Sequence, residues 1–155
     1  MELTTFGSAL KFAMDLENIA MTVFQDAART TRDEEIERIL LEFSVSCKNR
    51  GLLLERQYGE NIYSDMDTGI FEPIPVMYSE KYSPNPQPSP DAVTSTFLKE
   101  VIEMEERISA FYLDLASRIK SHKRGMANRY EKMAKENVER RNRLTELLKK
   151  LPPIS

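Results

Sequence analysis

The two halves of this chain carry the same helical pattern. Residues 15–28 and residues 103–116 each place a glutamate, Glu17 or Glu105, two helical turns before an aromatic side chain. Both glutamates fall within an apolar face when residues are read at alternating steps of three and four. A carboxylate in such a face costs several kcal/mol to bury unless another group neutralises it. The fold must therefore supply partners for Glu17 and Glu105.

Four long amphipathic helices are predicted, over about residues 4–30, 31–58, 90–120 and 122–150. Their boundaries rest on capping signals, which are Thr31 with Glu34 as a capping box, Gly59 as a left-handed stop, and Ser89, Pro90 and Asp91 as the start of helix three. The predicted apolar faces of helices one and three are Phe6, Leu10, Ala13, Glu17, Ala20, Phe24 and Ala27, and Leu98, Val101, Glu105, Ile108, Tyr112, Leu115 and Ile119. The predicted apolar faces of helices two and four also have polar residues at their middle.

Residues 59–89 differ in composition from the helices. Six of the chain's 8 prolines lie between positions 73 and 90, among scattered aromatic and aliphatic residues. Connections of this length are uncommon in compact domains. The apolar content predicts an irregular strap packed along the helices, with a simple tether as the alternative. Together these elements predict an all-α, antiparallel four-helix bundle with a long crossover between helices two and three.

Composition limits the classes of function. With 155 residues, we expect a single domain. The formal net charge is −3, which gives no indication of a nucleic-acid surface. A single cysteine, Cys47, fits a reducing compartment. The chain shows no signal-peptide pattern and no apolar run of membrane-spanning length, so we expect a cytoplasmic protein with no membrane or nucleic-acid partner.

The duplicated glutamates, the order of helices and the sequence MEERISAFY at Met104–Tyr112 resemble the ferritin-like superfamily, especially its rubrerythrin-type members. The resemblance covers essentially the whole chain. It implies a four-helix bundle, dimeric in many relatives. It also implies a di-iron or di-manganese site, built from single glutamates on two helices and Glu-x-x-His on each of the other two.

Only two positions of that implied site carry ligands here. Glu17 and Glu105 match the single glutamates, but the Glu-x-x-His positions are replaced by Ser44 and Cys47 on helix two and by Asn137 and Arg140 on helix four. Arginine cannot ligate a metal, and the only histidine, His122, lies in the turn between helices three and four. We therefore expect no bound metal, no cofactor and no catalytic residue, only a vestigial metal-site layer.

Arg140 is predicted to stand where the metal stood. Its planar guanidinium can bond both Glu17 and Glu105, while the remaining members of the layer are Ser44, Cys47 and Asn137. Three more carboxylates flank the layer and are predicted to point away from it, namely Glu42, Glu136 and Glu139. A metal held by such shifted ligands is the alternative.

Three functions follow from this pattern. The first is a non-catalytic structural or interaction module that self-associates as a dimer through exposed apolar residues of the strap and outer helix faces. The second is an oxidoreductase of the ferritin or rubrerythrin type, with iron or manganese in a rearranged site that uses Glu17, Cys47, Glu105 and either Glu136 or Glu139. The third is a redox sensor centred on Cys47, whose other interpretation is a small buried hydrophobe.

Overall fold

The computed structural model describes residues 1–86 and 93–151, and four long helices dominate them. The helices are α1 (Phe6–Thr30), α2 (Glu34–Thr68), α3 (Ser95–Ile119) and α4 (Arg124–Lys150). The predicted all-α class is confirmed at this level. Two short strands, β1 (Glu2–Thr5) and β2 (Pro73–Tyr78), form an antiparallel pair, which the sequence did not predict.

The helices bury the faces that their periodicity predicts. Every residue of the apolar faces predicted for helices one and three is buried, including Glu17 and Glu105. Aromatic pairs link neighbouring helices across this core, at ring-centroid distances of 5.3 Å for Phe12 with Phe111, 5.4 Å for Phe24 with Phe43 and 6.0 Å for Tyr112 with Tyr130. The two glutamates therefore lie inside a packed apolar core.

Helix α2 is longer than the sequence predicted. Gly59 was expected to end it after Tyr58, but the helix continues to Thr68. Asn61 and Asp65 extend its buried face through this region. Gly69 provides the left-handed stop instead, with φ 72° and an amide that donates to the Asp65 carbonyl at 2.8 Å. A glycine in mid-helix is tolerated, so Gly59 alone was insufficient evidence for an end.

The helix starts also differ from the predictions. Asp33 caps α2, because its carboxylate accepts from the amides of Glu35 and Ile36 at 2.9 and 3.1 Å. Thr31, the predicted cap, ends α1 instead. Helix α3 begins at Ser95 behind an N-cap at Thr94. The predicted start at residues 89–91 lies outside the described residues.

The connecting segment, residues 69–86, is packed and partly regular. It begins at Gly69, whereas the strap was predicted from residue 59, and its strand β2 pairs with the N-terminal strand, where Leu3 lies opposite Met77 and both are buried. Tyr82 is buried against the Phe111 ring, with 5.5 Å between ring centroids, and its hydroxyl donates to Asp114. The described part of the connection is therefore an element of the core, which contradicts the simple tether.

Two arginines of α3 hold the connecting segment by its backbone. Their guanidinium groups donate to carbonyl oxygens at 3.0 to 3.5 Å, which belong to Pro75 and Val76 for Arg118 and to Lys81 and Ser83 for Arg107. The bonds from Arg118 use carbonyl groups of β2. This strand belongs to a sheet that has two strands among the described residues. The segment is thus fixed on α3 by groups that every residue type possesses.

None of the four helices, over the part of the chain that the structure describes, has the length and apolar character needed to cross a membrane.

Candidate functional site

Two buried ion pairs meet at the centre of the helices. Glu17 of α1 lies with its Oε2 atom 3.5 Å from Arg50 Nη1 of α2. Glu105 of α3 lies with its Oε2 atom 3.3 Å from Arg140 Nε of α4. All four residues are at most 6% exposed. With Asn137 they form a group that we call the charged layer, to which each of the four helices contributes.

Asn137 joins the two ion pairs into one network. Its side-chain amide donates to Glu105 Oε2 at 2.6 Å, and its carbonyl oxygen accepts from Arg50 Nη1 at 2.6 Å. The residue is fully buried, so both bonds form away from bulk water. An amide suits this position because it offers a donor to a carboxylate and an acceptor to a guanidinium at once.

Arg50 makes more polar contacts than Arg140. Its Nη2 atom donates to the backbone carbonyl of Met133 at 2.7 Å and to Glu136 Oε1 at 3.1 Å. The guanidinium carbon lies 5.6 Å from the centre of the Tyr112 ring, within range of a cation–π contact. The Tyr112 hydroxyl donates to Glu17 Oε2 at 2.5 Å. The Glu17 carboxylate is thus held by both a cation and a phenol.

The structure corrects the prediction for Arg140. This residue pairs with Glu105, and its Nη1 atom donates to Cys47 Sγ at 3.4 Å and to Ser46 Oγ at 3.3 Å. It makes no bond to Glu17, whose carboxylate is paired with Arg50. One arginine was predicted between the two glutamates, whereas each glutamate has an arginine of its own.

Other predicted members of the layer have different partners. The Ser44 hydroxyl donates to the Leu41 carbonyl of its own helix at 2.7 Å. Glu136 was predicted to point away from the layer, but it reaches Arg50 from the surface and is 48% exposed. Glu42 does point away, towards Arg143 at 3.1 Å, and Glu139 is exposed.

Arg50 was not among the site residues predicted from the sequence. It lies one helical turn after Cys47 on α2, so it shares the face on which Cys47 was placed. The signal that could have identified it is the requirement for a counter-charge near each buried glutamate. A second cation on the inner face of α2 met that requirement for Glu17.

Burial controls the ionisation of the groups in and around the layer. It raises the pKa of the Cys47 thiol to about 12, although the nearby Arg140 charge acts in the opposite direction. It also raises the pKa of Glu105 above 4.5, against the opposing effects of Arg140 and the Asn137 hydrogen bond. The pKa of Tyr112 is raised by burial and by the Glu17 charge beside it. These directions make Cys47 a poor nucleophile at neutral pH.

The charged layer does not fit a di-metal centre. Its two carboxylates face two guanidinium cations, which offset their charge and would repel a divalent ion. One oxygen of each glutamate, Oε1, has no hydrogen-bond partner in the described structure. Within residues 1–86 and 93–151, no three histidine, cysteine, aspartate or glutamate residues are grouped so that they could hold a metal ion.

These observations define a class only: a mainly α-helical protein with four long helices and a charged layer in its core. Comparison with known proteins adds no family, because no family model, no curated protein and no solved structure matches the chain.

Proposed function

We propose that the chain is a ferritin-like helical bundle in which the layer that holds metal in related proteins serves a non-catalytic, structural role. The observation that carries this proposal is the pairing of Glu17 with Arg50 and of Glu105 with Arg140, linked through Asn137. Two fixed cations take the place of two metal ions. The glutamates remain buried because the arginines neutralise them.

The order of contacts between α2 and α4 supports the antiparallel bundle with a crossover. Residue numbers fall along α4 as they rise along α2, through the pairs Cys47 with Arg140, Arg50 with Asn137 and Gln57 with Tyr130. Helices that follow each other by a short turn, such as α1 and α2, are also closely packed. This arrangement requires the connection between α2 and α3 to return along the bundle.

A buried polar network of this kind specifies a register between helices. Each buried charge has its partner of opposite sign only when all four helices meet at the same level, so a shifted helix would leave a charge buried and unpaired. The apolar residues above and below the layer discriminate less between such shifts. We assign the layer the role of fixing one arrangement of the helices.

The metal content of the purified protein tests this proposal. The protein is expressed in medium supplemented with iron and manganese, and bound metal is measured by mass spectrometry after dialysis. We expect no stoichiometric metal. Two equivalents per chain would contradict the proposal, provided that they are lost in the control variant Glu17→Gln/Glu105→Gln, which removes the two carboxylates while preserving the shapes of the side chains.

The alternative functions receive less support from the geometry. A thiol sensor needs an accessible thiolate, whereas Cys47 is fully buried and its pKa is raised to about 12. A rearranged oxidoreductase site would use Glu136 or Glu139, whereas the Glu136 carboxylate is bonded to Arg50 and Glu139 is exposed.

We further propose that the bundle self-associates through an apolar patch at the C-terminal end of α2. The patch consists of four large side chains that are 67 to 79% exposed, namely Tyr63, Met66, Ile70 and Phe71. Exposed apolar groups of this size, close together along the chain, are typical of contact surfaces. We assign the patch to a second copy of this chain.

A further inference from the structure

A surface groove separates α2 from α4 outside the charged layer. It has a volume of about 720 Å³, within the range of small-molecule sites. Its apolar lining comes from Val45, Leu53 and Met133. Asn49 and Ser46 add polar groups along the same wall. The groove thus offers an apolar surface that a ligand can cover.

One end of the groove is strongly cationic. Arg56 of α2 and two cations of α4, Arg129 and Lys132, line it, and all three are exposed. None of them forms an ion pair with a carboxylate in the part of the chain that the structure describes. Like charges on two helices at one end of a groove repel each other in the bare protein. An anion bound between them would remove this repulsion.

The carboxylates that line the groove have partners already. Glu42 pairs with Arg143, and Glu136 pairs with Arg50. Four cations against two carboxylates leave the groove positive, although the whole chain has a net charge of −3. The local charge therefore has the opposite sign to the net charge of the protein and favours an anion at this place.

Buried Arg50 forms the floor of the groove. It is 6% exposed, and its Nε atom has no hydrogen-bond partner in the described structure. Glu136, 48% exposed, covers this floor from the solvent side through its bond to Arg50. A carboxylate of the protein thus already occupies a position at which a ligand's anionic group could bond the same guanidinium.

We propose that the groove between α2 and α4 binds a small amphiphilic anion. Its carboxylate or phosphate group lies among Arg56, Arg129 and Lys132, and its apolar body covers Leu53 and Met133. A cationic ligand would be repelled by these three side chains, and a neutral apolar molecule would leave their charges without a counter-charge. This site is on the surface and does not depend on the role proposed for the charged layer.

Isothermal titration calorimetry with three ligands of equal chain length tests the chemistry. The probes are octanoate, octyl phosphate and the neutral 1-octanol, with inorganic phosphate as a fourth. We expect both octyl anions to bind at one site, and 1-octanol and inorganic phosphate to bind much more weakly. Tighter binding of octyl phosphate assigns a phosphate headgroup, and equal or tighter binding of octanoate assigns a carboxylate. Binding of 1-octanol as tight as that of the anions, or no binding of either anion, overturns the proposal.

Charge variants locate the site. Arg129→Glu/Lys132→Glu should weaken octyl anion binding by about tenfold or more, because it places negative charge at the headgroup position. The matched control Lys11→Glu/Lys99→Glu changes the net charge equally on α1 and α3 and should change affinity by less than about twofold. Thermal unfolding verifies that each variant is folded. Equal losses in the two double variants would overturn the assignment.

A third variant should change the affinity for the anions in the opposite direction. Glu136→Gln removes the carboxylate that competes for Arg50 and repels an anion, so it should tighten binding by about threefold. Heteronuclear NMR should also show the Asn49 side-chain amide shifting upon titration, since this residue lines the groove. Weaker binding by Glu136→Gln, or an unshifted Asn49 signal, counts against a ligand in this groove.

Discussion

At the scale of single residues, Arg140 should be among the most sensitive positions of the chain. Arg140→Leu leaves the Glu105 carboxylate buried beside an apolar side chain, with only the Asn137 amide to stabilise it. We expect a loss of about 3 to 5 kcal/mol in the free energy of unfolding. Urea denaturation at pH 7 measures it.

Two controls separate charge loss from lost packing. Arg140→Leu/Glu105→Leu removes both charges and should recover most of the stability, because no unpaired carboxylate remains. Arg141→Leu, at the next position, removes a half-exposed pair with Glu106 and an exposed hydrogen bond to Asn142, and should cost less than about 1 kcal/mol. A double variant as unstable as Arg140→Leu would show that the pairing is not the cause.

The pH dependence of stability should reveal Glu105. Burial raises the pKa of Glu105 in the folded protein above its ordinary value of 4.5. At pH values between the unfolded and the folded pKa, the folded state therefore binds more protons than the unfolded state. The contribution of Glu105 to the free energy of unfolding is therefore greatest below the unfolded pKa and falls as pH rises through the folded pKa. Urea titrations from acid to neutral pH should show this decline as the difference in stability between the unmodified chain and Glu105→Gln. Identical pH profiles would contradict the raised pKa.

Cys47 should be inert in the native protein. With a pKa of about 12, its thiolate is about one part in ten thousand of the total at pH 8, and the sulfur is fully buried. Iodoacetamide at pH 8 should therefore modify Cys47 only in urea, as measured by the mass of the intact protein. Rapid native alkylation would restore the redox-sensor hypothesis.

At the scale of elements, Gly59 within α2 and Gly69 at its end should respond oppositely to substitution by alanine. Gly69→Ala places a Cβ on a residue with φ 72° and should destabilise by about 1 kcal/mol. Gly59→Ala lies within the helix, where a Cβ meets open space, and should stabilise by about 0.5 to 1 kcal/mol. Thermal unfolding of the two variants compares them directly. The reverse order of stabilities would mean that α2 ends near Gly59.

This pair of glycines also shows what the sequence could and could not predict. Periodicity was sufficient to predict four helices and the complete buried faces of α1 and α3, because apolar spacing is a local property. The end of α2 depends on φ at a single glycine, and Gly59 and Gly69 carry equivalent local signals. The strand pair was missed because β1 and β2 are short and distant in sequence, and two prolines lie in β2.

The charged layer was only partly predictable for a similar reason. Burial of Glu17 and Glu105 followed from their position in apolar faces. Their partners depend on which long side chain reaches which carboxylate, and that choice is made by packing between helices. Arg50 and Arg140 both extend into the same region, so assigning one to each glutamate required three-dimensional distances.

At the scale of the whole molecule, self-association through the apolar patch can be tested by sedimentation equilibrium. We expect the mass of a dimer for the unmodified chain. Met66→Glu/Phe71→Glu should give a monomer, because it places charges in a surface that the second copy would bury. Leu113→Glu, on the outer face of α3 and 50% exposed, is the control and should remain dimeric. A monomeric unmodified chain would contradict the assignment.

The backbone bonds of Arg107 and Arg118 have a consequence for how this sequence can diverge. The two arginines bind the connecting segment through hydrogen bonds to its backbone carbonyl oxygens, which remain when its side chains are substituted. Substitutions at the exposed positions of residues 72–86, beyond the apolar patch, should therefore be almost neutral, while the two arginines of α3 tolerate little exchange. Residues 72–86 can thus change in sequence and still follow the same path over the helices.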